Sequence, residues 1–321
     1  MKNFRPKKKV GFYGLDLYSL YASIDEVLKY LDKTNPTMAE RARKRYDCFK
    51  QYRHNAQIYG YATTFDIGAS CQEKVIEQLM DLRESAIELL RVDGQKAPEE
   101  YFYTLQNAKL IKSAEEYYRS LFFSSPATSW NIRDTHMTQT ANALLNHLQE
   151  TNKPKKIIIW AHNSHLGNAS ATQFKKQGEI NIGQLLKEHY ATQVKSIGFT
   201  TYSGKVSAAS EWDGPVEHKQ VRPALENSYE ALLHEVNIPQ FLLLLQKDKE
   251  LAQALSAEKL ERAIGVIYRP ETERASHYFS AQLSKQFDAI IHIDQTTAVE
   301  PLEKTPEWLS VEFSETYPTG I

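Results

Sequence analysis

Two histidines, His162 and His165, close an apolar run that begins at Ile157, in the stretch IIIWAHNSHLGN. Imidazole exchanges protons near neutral pH, so a pair of them in a short turn after a buried strand suits general acid–base work. The same spacing suits chelation, with Asp16 or Glu179 available to complete a metal site. No HExxH, no CxxC and no clear third ligand accompanies the pair, so histidine-activated water is the expected chemistry and neither metal nor other cofactor is expected. Asn163 reads either as a turn former that tolerates a left-handed backbone or as an amide donor to an oxyanion, with the turn favoured. No GxSxG frames Ser164, and neither cysteine falls near these histidines, which argues against a covalent serine or cysteine mechanism.

The elements that must position these residues are legible as runs. Short, nearly continuous apolar stretches recur at KKVGFYGLD (from Lys8), KKIIIWAHN (Lys155), VKSIGFTTY (Val194), AIGVIYR (Ala263) and FDAIIHID (Phe287). Such runs mark strands covered on both faces. Between them, INIGQLLKEHY (Ile180) and HYFSAQLSKQF (His277) carry apolar residues three to four apart, which predicts helices. Strands alternating with helices predict an α/β fold with a largely parallel sheet. From Leu20 to Leu148 only amphipathic helical patterns appear, as though a helical subdomain were inserted after the first strand.

In an open α/β sheet, sites gather beyond the carboxyl ends of the strands. Asp16 closes the first expected strand, His162, Asn163 and His165 the second, Thr200 and Thr201 the third and Arg269 the fourth. A helix from about Ser129 to Gln149 feeds the second strand, so its start brings Arg133, Asp134 and His136 to the same rim. His277 reads as a helix cap or a further rim residue.

Composition bounds the rest. The chain has 321 residues, and 39 basic against 40 acidic side chains leave a formal charge of -1, which gives no global attraction to nucleic acid. The basic run Arg5 to Lys9 reads as a solvated flank. The longest apolar run, FLLLLQ from Phe241, is far short of the ~18 residues a membrane span needs, and no signal peptide is evident. Cys48 and Cys71 are expected to remain free thiols in a reducing, cytoplasmic setting.

With these residues in view, the chain resembles the erythromycin esterase family. VGFYGLDLYSLYASIDEVLKYLD, TSWNIRDTHM, IIIWAHNSHLGNASAT, GFTTYSGKVSAASEWDGP, AIGVIYRPETERASHYF and FDAIIHIDQTTAVEPLE carry the likeness in order along nearly the whole sequence. The resemblance implies metal-independent hydrolysis of an ester or macrolactone, of the kind that confers macrolide resistance. Its histidine–asparagine–histidine stretch maps onto His162, Asn163 and His165, and its arginine-led helix start onto Arg133 and His136. His162 and His165 are accordingly expected to be catalytic, and Asp16, Arg133, His136 and Asn163 to bind a small-molecule substrate, with neither nucleic acid nor membrane as partner. The family pattern also includes an upstream strand ending in G-E-x-x-H-G, whose histidine is the general base, and a further strand ending in glutamate. Neither occurs here. The expectation is a single erythromycin esterase-like domain over residues 1–321 with its N-terminal strands absent. Residues 17–125 would be the helical insertion and 126–321 the α/β part. Such a chain would be inactive, weakly active, or a non-catalytic small-molecule-binding remnant.

Overall fold

The computed structural model describes residues 11–53, 55–92, 97–122, 124–149, 156–211 and 214–300. The basic run at Arg5, the start of the first expected strand and residues 301–321 lie outside them.

The first half is helical: α1 (Leu20–Thr34), α2 (Pro36–Tyr46), α3 (Ala56–Thr64), α4 (Gln72–Glu84), α5 (Ala86–Val92), α6 (Ala97–Ser120) and α7 (Pro126–Gln149). The sequence sets these boundaries by capping. Asn35 accepts from Met38 N at 3.1 Å with Pro36 at the first helical position, which ends α1 and starts α2. The largest apolar cluster is drawn from residues 17–118 and includes Leu31, Met38, Phe49, Tyr59 and Ile111, all essentially inaccessible to solvent. Cys48 and Cys71 are joined in a disulfide inside this cluster. The expected free thiols are therefore corrected, and with them the premise behind the reducing-compartment expectation. A disulfide follows from proximity in three dimensions, which a 23-residue separation does not announce.

The second half contains α8 (Asn163–Leu166), α9 (Ile182–Tyr190), β1 (Ile197–Ala208), β2 (Glu217–Val221), α10 (Tyr229–His234), β3 (Gln240–Leu244), α11 (Lys249–Ala254), β4 (Lys259–Arg262), α12 (Glu273–Ser276), β5 (Tyr278–Ala281), α13 (Leu283–Gln286) and β6 (Ala289–Thr296). The main sheet has the order β2-β1-β6-β3, and β4 pairs with β5 in a separate ribbon. Among the described strands only β1 and β6 run parallel. β1–β2, β3–β6 and β4–β5 are antiparallel. The expected largely parallel sheet is thus corrected to a mixed one. The link from Ala208 to Glu217 is too short for a crossover helix, so β2 must return antiparallel.

Four sequence expectations resolve differently. The stretch 156–161 belongs to no ladder among the described residues, and residues 11–19 likewise carry no strand. AIGVIYR is a loop that follows β4 rather than a strand. HYFSAQLSKQF is not one helix: pairing with β4 draws Tyr278–Ala281 into β5, leaving only the short α13.

One face of the main sheet is core. Ile290, together with Phe241 and Leu243, packs on Tyr229, Leu233, Leu283 and Phe287. The opposite face places Phe199, Ile291 and Leu242 in one row across three strands. There Phe199 is 45% and Leu242 56% exposed. Trp160 stands against Phe199 with ring centroids 6.0 Å apart, and Ile158 and Trp160 are 93% and 87% exposed.

Candidate active site

The turn that carries the two histidines is anchored from both sides. Asn163 makes a two-way bridge to β1, its Nδ2 donating to Phe199 O at 2.7 Å and its Oδ1 accepting from Phe199 N at 3.1 Å. Asn181 caps α9 by accepting from Gln184 N, and its Nδ2 donates to Ser164 O at 2.7 Å and to the Gly167 carbonyl. Gly183 lets α9 approach this closely, since a Cβ there would stand 2.1 Å from the Leu166 carbonyl oxygen.

His162 is the N-cap of α8. Its Nδ1 accepts from Ser164 N at 3.2 Å and from Ser164 Oγ at 2.9 Å, and its Nε2 donates to Ile264 O at 2.9 Å. Both ring nitrogens are engaged, in the Nε2–H tautomer. One edge of the residue stays open to solvent, yet protein crowded around the ring lowers its pKa, with the Ile264 carbonyl opposing.

His165 is buried and differently held. Its Nδ1 lies 3.0 Å from each carboxylate oxygen of Asp134, and its ring stacks on Trp130 with centroids 4.6 Å apart and planes 4° from parallel. Asp134 is fully buried and also accepts from Ile182 N at 3.0 Å. Burial raises the Asp134 pKa, and the His165 contact opposes that rise. Asp134 engages Nδ1 of His165, which leaves Nε2 as the ring nitrogen not held by the carboxylate.

Arg133 and His136 face another side of α7. Arg133 Nε and Nη2 clasp Asp16 Oδ1 and Oδ2 at 3.0 and 2.6 Å, and its guanidinium lies 4.7 Å above the Tyr18 ring. Burial works against the Arg133 charge, but Asp16 and the neighbouring tyrosines outweigh it and raise its pKa. His136 is buried within weak reach of Thr140, and desolvation pushes its pKa down to about 4. The single rim expected from sequence is therefore two clusters joined by α7: Trp130 and Asp134, four residues apart, face His165, while Arg133 and His136, three apart, face the Asp16 side. Trp130 was not singled out in sequence, and Asp134 was placed only near the rim. Their i,i+4 spacing was the available signal.

Beyond His162 lies a cavity of about 220 Å³, walled by Trp130, Phe174 and Phe279 and carrying Glu179 and Arg269. His277 borders it as a structural residue: Nδ1 donates to Ala263 O and Nε2 accepts from Arg269 N at 3.0 Å, and burial lowers its pKa. Among the described residues no group of three or more His, Cys, Asp or Glu is arranged to hold a metal ion. No helix among them is long and apolar enough to cross a membrane.

The chain thus combines a mixed sheet, a carboxylate-held histidine and an aromatic cavity. The erythromycin esterase family model matches residues 1–296, and the chain belongs to that family. It is 24% identical over 299 residues to the putative hydrolase YbfO of Bacillus subtilis (strain 168), covering 88% of this chain and 63% of that protein. It is 24% identical over 166 residues to an erythromycin esterase type II of Escherichia coli, covering 50% of this chain and 36% of that protein. The crystal structure of a succinoglycan biosynthesis protein superposes with a TM-score of 0.69 at 24% identity, over 91% of this chain and 66% of that one. A mutant of the erythromycin esterase EreC in its open conformation gives 0.64 at 16% identity, over 89% and 69%. These likenesses show the fold. The chain spans about two thirds of YbfO and about a third of the type II esterase.

Proposed function

We propose that this chain carries the histidine half of an erythromycin esterase-type hydrolytic site, acting on a carboxylic ester or macrolactone through water. The observation that carries the reading is the buried Asp134–His165 pair, whose Nε2 is left free by the bond at Nδ1. A neutral imidazole so held accepts a proton from water as the water attacks a carbonyl, and returns it to the leaving alkoxide. His162 forms the wall between the turn and the cavity, and the cavity's aromatic lining takes the apolar part of the substrate. Family membership supports the reaction class, and macrolide resistance is the corresponding role. Because the sequence has no G-E-x-x-H, the chain alone is proposed to hydrolyse esters slowly or not at all, ~10²–10⁴-fold below a site with that base in place.

Hydrolysis of p-nitrophenyl acetate and erythromycin by the purified chain and by His165→Ala tests this. Slow turnover that disappears in His165→Ala is the expected result. Turnover that survives the substitution overturns the histidine assignment, and fast turnover overturns the proposed weakness. A second reading, binding without turnover, draws on the full engagement of His162 and on the commitment of Arg133 to Asp16. Ligand binding with no hydrolysis in either chain selects it.

A further inference from the structure

Glu179 is presented to the cavity by a clamp. Asn131 holds the backbone on both of its sides, donating from Nδ2 to Gly178 O and accepting at Oδ1 from Ile180 N, each at 2.9 Å. Trp130 Nε1 donates to Ile180 O at 2.9 Å, and Glu179 N donates to Phe174 O at 3.2 Å. Gly178, at φ 77°, makes the bend that aims the side chain inward. The carboxyl itself makes no hydrogen bond or ion pair with any described residue. A carboxyl carried on backbone fixed this firmly and left without a partner, on the wall of an aromatic cavity, is placed for something that enters the cavity.

We propose that Glu179 is a ligand-binding residue that, as a neutral acid, donates its proton in a hydrogen bond to an oxygen of a small aromatic or aliphatic ester, or of the acid such an ester releases. The ligand's apolar part would lie among Trp130, Phe174 and Phe279. The inference rests on the reading above for its ligand class only and requires no turnover. Burial, and next the repulsion of Asp134, push the Glu179 pKa up to about 7. The neutral form is thus populated at physiological pH, as it is for carboxyls set against indole rings in apolar pockets.

Benzoate, a product-like anion, is the probe. Around Glu179 stand Asp134 on α7, His162 and His165 on the α8 turn, Arg269 and His277 across the cavity, and Lys175 and Lys176 on its own turn. All are present in both the native chain and Glu179→Gln, so the difference between the two isolates Glu179. Titration of benzoate by calorimetry should show affinity falling ~tenfold per pH unit above about 7 in the native chain and flat in Glu179→Gln. In the native chain alone, titrations at pH 8 in buffers of different ionisation heat should show uptake of about one proton per benzoate, which keeps the test independent of the variant's folding. Equal pH slopes in both chains, absence of proton uptake, or no binding of benzoate overturns the proposal. Benzoate binding with these signatures but no ester hydrolysis would remove the hydrolase reading and leave this one standing.

Discussion

Asp134 places both of its carboxylate oxygens 3.0 Å from His165 Nδ1 while sealed from solvent between α7 and the first turn of α9. A buried carboxylate shared between an imidazole and a backbone N–H is satisfied only while both partners stay, so the pair locks the ring and joins two helices. Replacing Asp134 with Ala strands the Ile182 N–H and the His165 Nδ1–H. The expected cost is ~1–3 kcal/mol in urea unfolding. Asp134→Asn keeps an acceptor without the charge, so it should recover much of that stability. A loss in Asp134→Asn as large as in Asp134→Ala would show that the charge, and not the hydrogen bonds, holds these elements together.

The contrast between Asp134 and its neighbours shows how much was legible. A run of apolar residues into two histidines was enough to locate the turn, and the helix start was enough to bring Arg133, Asp134 and His136 near it. Which of them meets His165 depends on rotation about the α7 axis, and a hundred degrees per residue separates Arg133 from Asp134. Strands suffered the reverse problem. Ile157–Trp160 and Ile197–Thr200 have similar apolar character, but a strand is a property of a pair, and only the second run has a partner in register, on β6. Likewise the apolar spacing after His277 suits a helix, and only the presence of β4 alongside decides for a strand.

His136 makes the acid limb of stability steep. Its folded pKa, about 4, lies below the ordinary value of 6.5, so between these pH values the unfolded chain binds the proton and the folded chain does not. The stability that neutral His136 allows is complete above pH 6.5 and is lost as pH falls towards 4, amounting to about 3 kcal/mol for a group this buried. His136→Gln should flatten urea-unfolding stability over that window by a comparable amount. If native and variant chains lose stability in parallel, the ring is not held neutral.

Glu261 acts in the opposite sense. It is fully buried on β4, its Oε2 has no partner among the described residues, and Gln286 Nε2 reaches its Oε1 only at 3.4 Å. Burial, followed by repulsion from Glu230, raises its pKa well above the ordinary carboxylate value. A raised carboxylate pKa means stability that is complete at low pH and lost as pH rises towards the folded pKa. Glu261→Gln keeps the shape without the proton, so its advantage over the native chain should grow in thermal melts as pH rises above about 4.5. An advantage that does not change with pH would count against a neutral Glu261.

The disulfide between Cys48 and Cys71 closes 23 residues around α3, and chain-entropy reasoning gives it about 3 kcal/mol. Reduction with dithiothreitol, and the Cys48→Ser/Cys71→Ser double variant, should therefore lower the melting temperature equally. A melting temperature indifferent to reductant would mean the thiols are not bonded in solution.

The bare sheet face follows from the same pairing logic that removed the second strand. Phe199, Ile291 and Leu242 form an apolar row in which Phe199 and Leu242 stay largely exposed, and the Trp160 ring stands 6.0 Å from that of Phe199. Apolar area left in water costs about 25 cal/mol per Å², so association that hides this face is favoured. Phe199→Thr with Leu242→Thr removes the apolar row while keeping residues suited to strands. Because both side chains are exposed, the double variant should melt close to the native chain. It should bind less of the dye ANS and scatter less light as concentration rises. If self-association is undiminished, the contact lies elsewhere, and Ile158 and Trp160 on the unpaired stretch are the next residues to exchange.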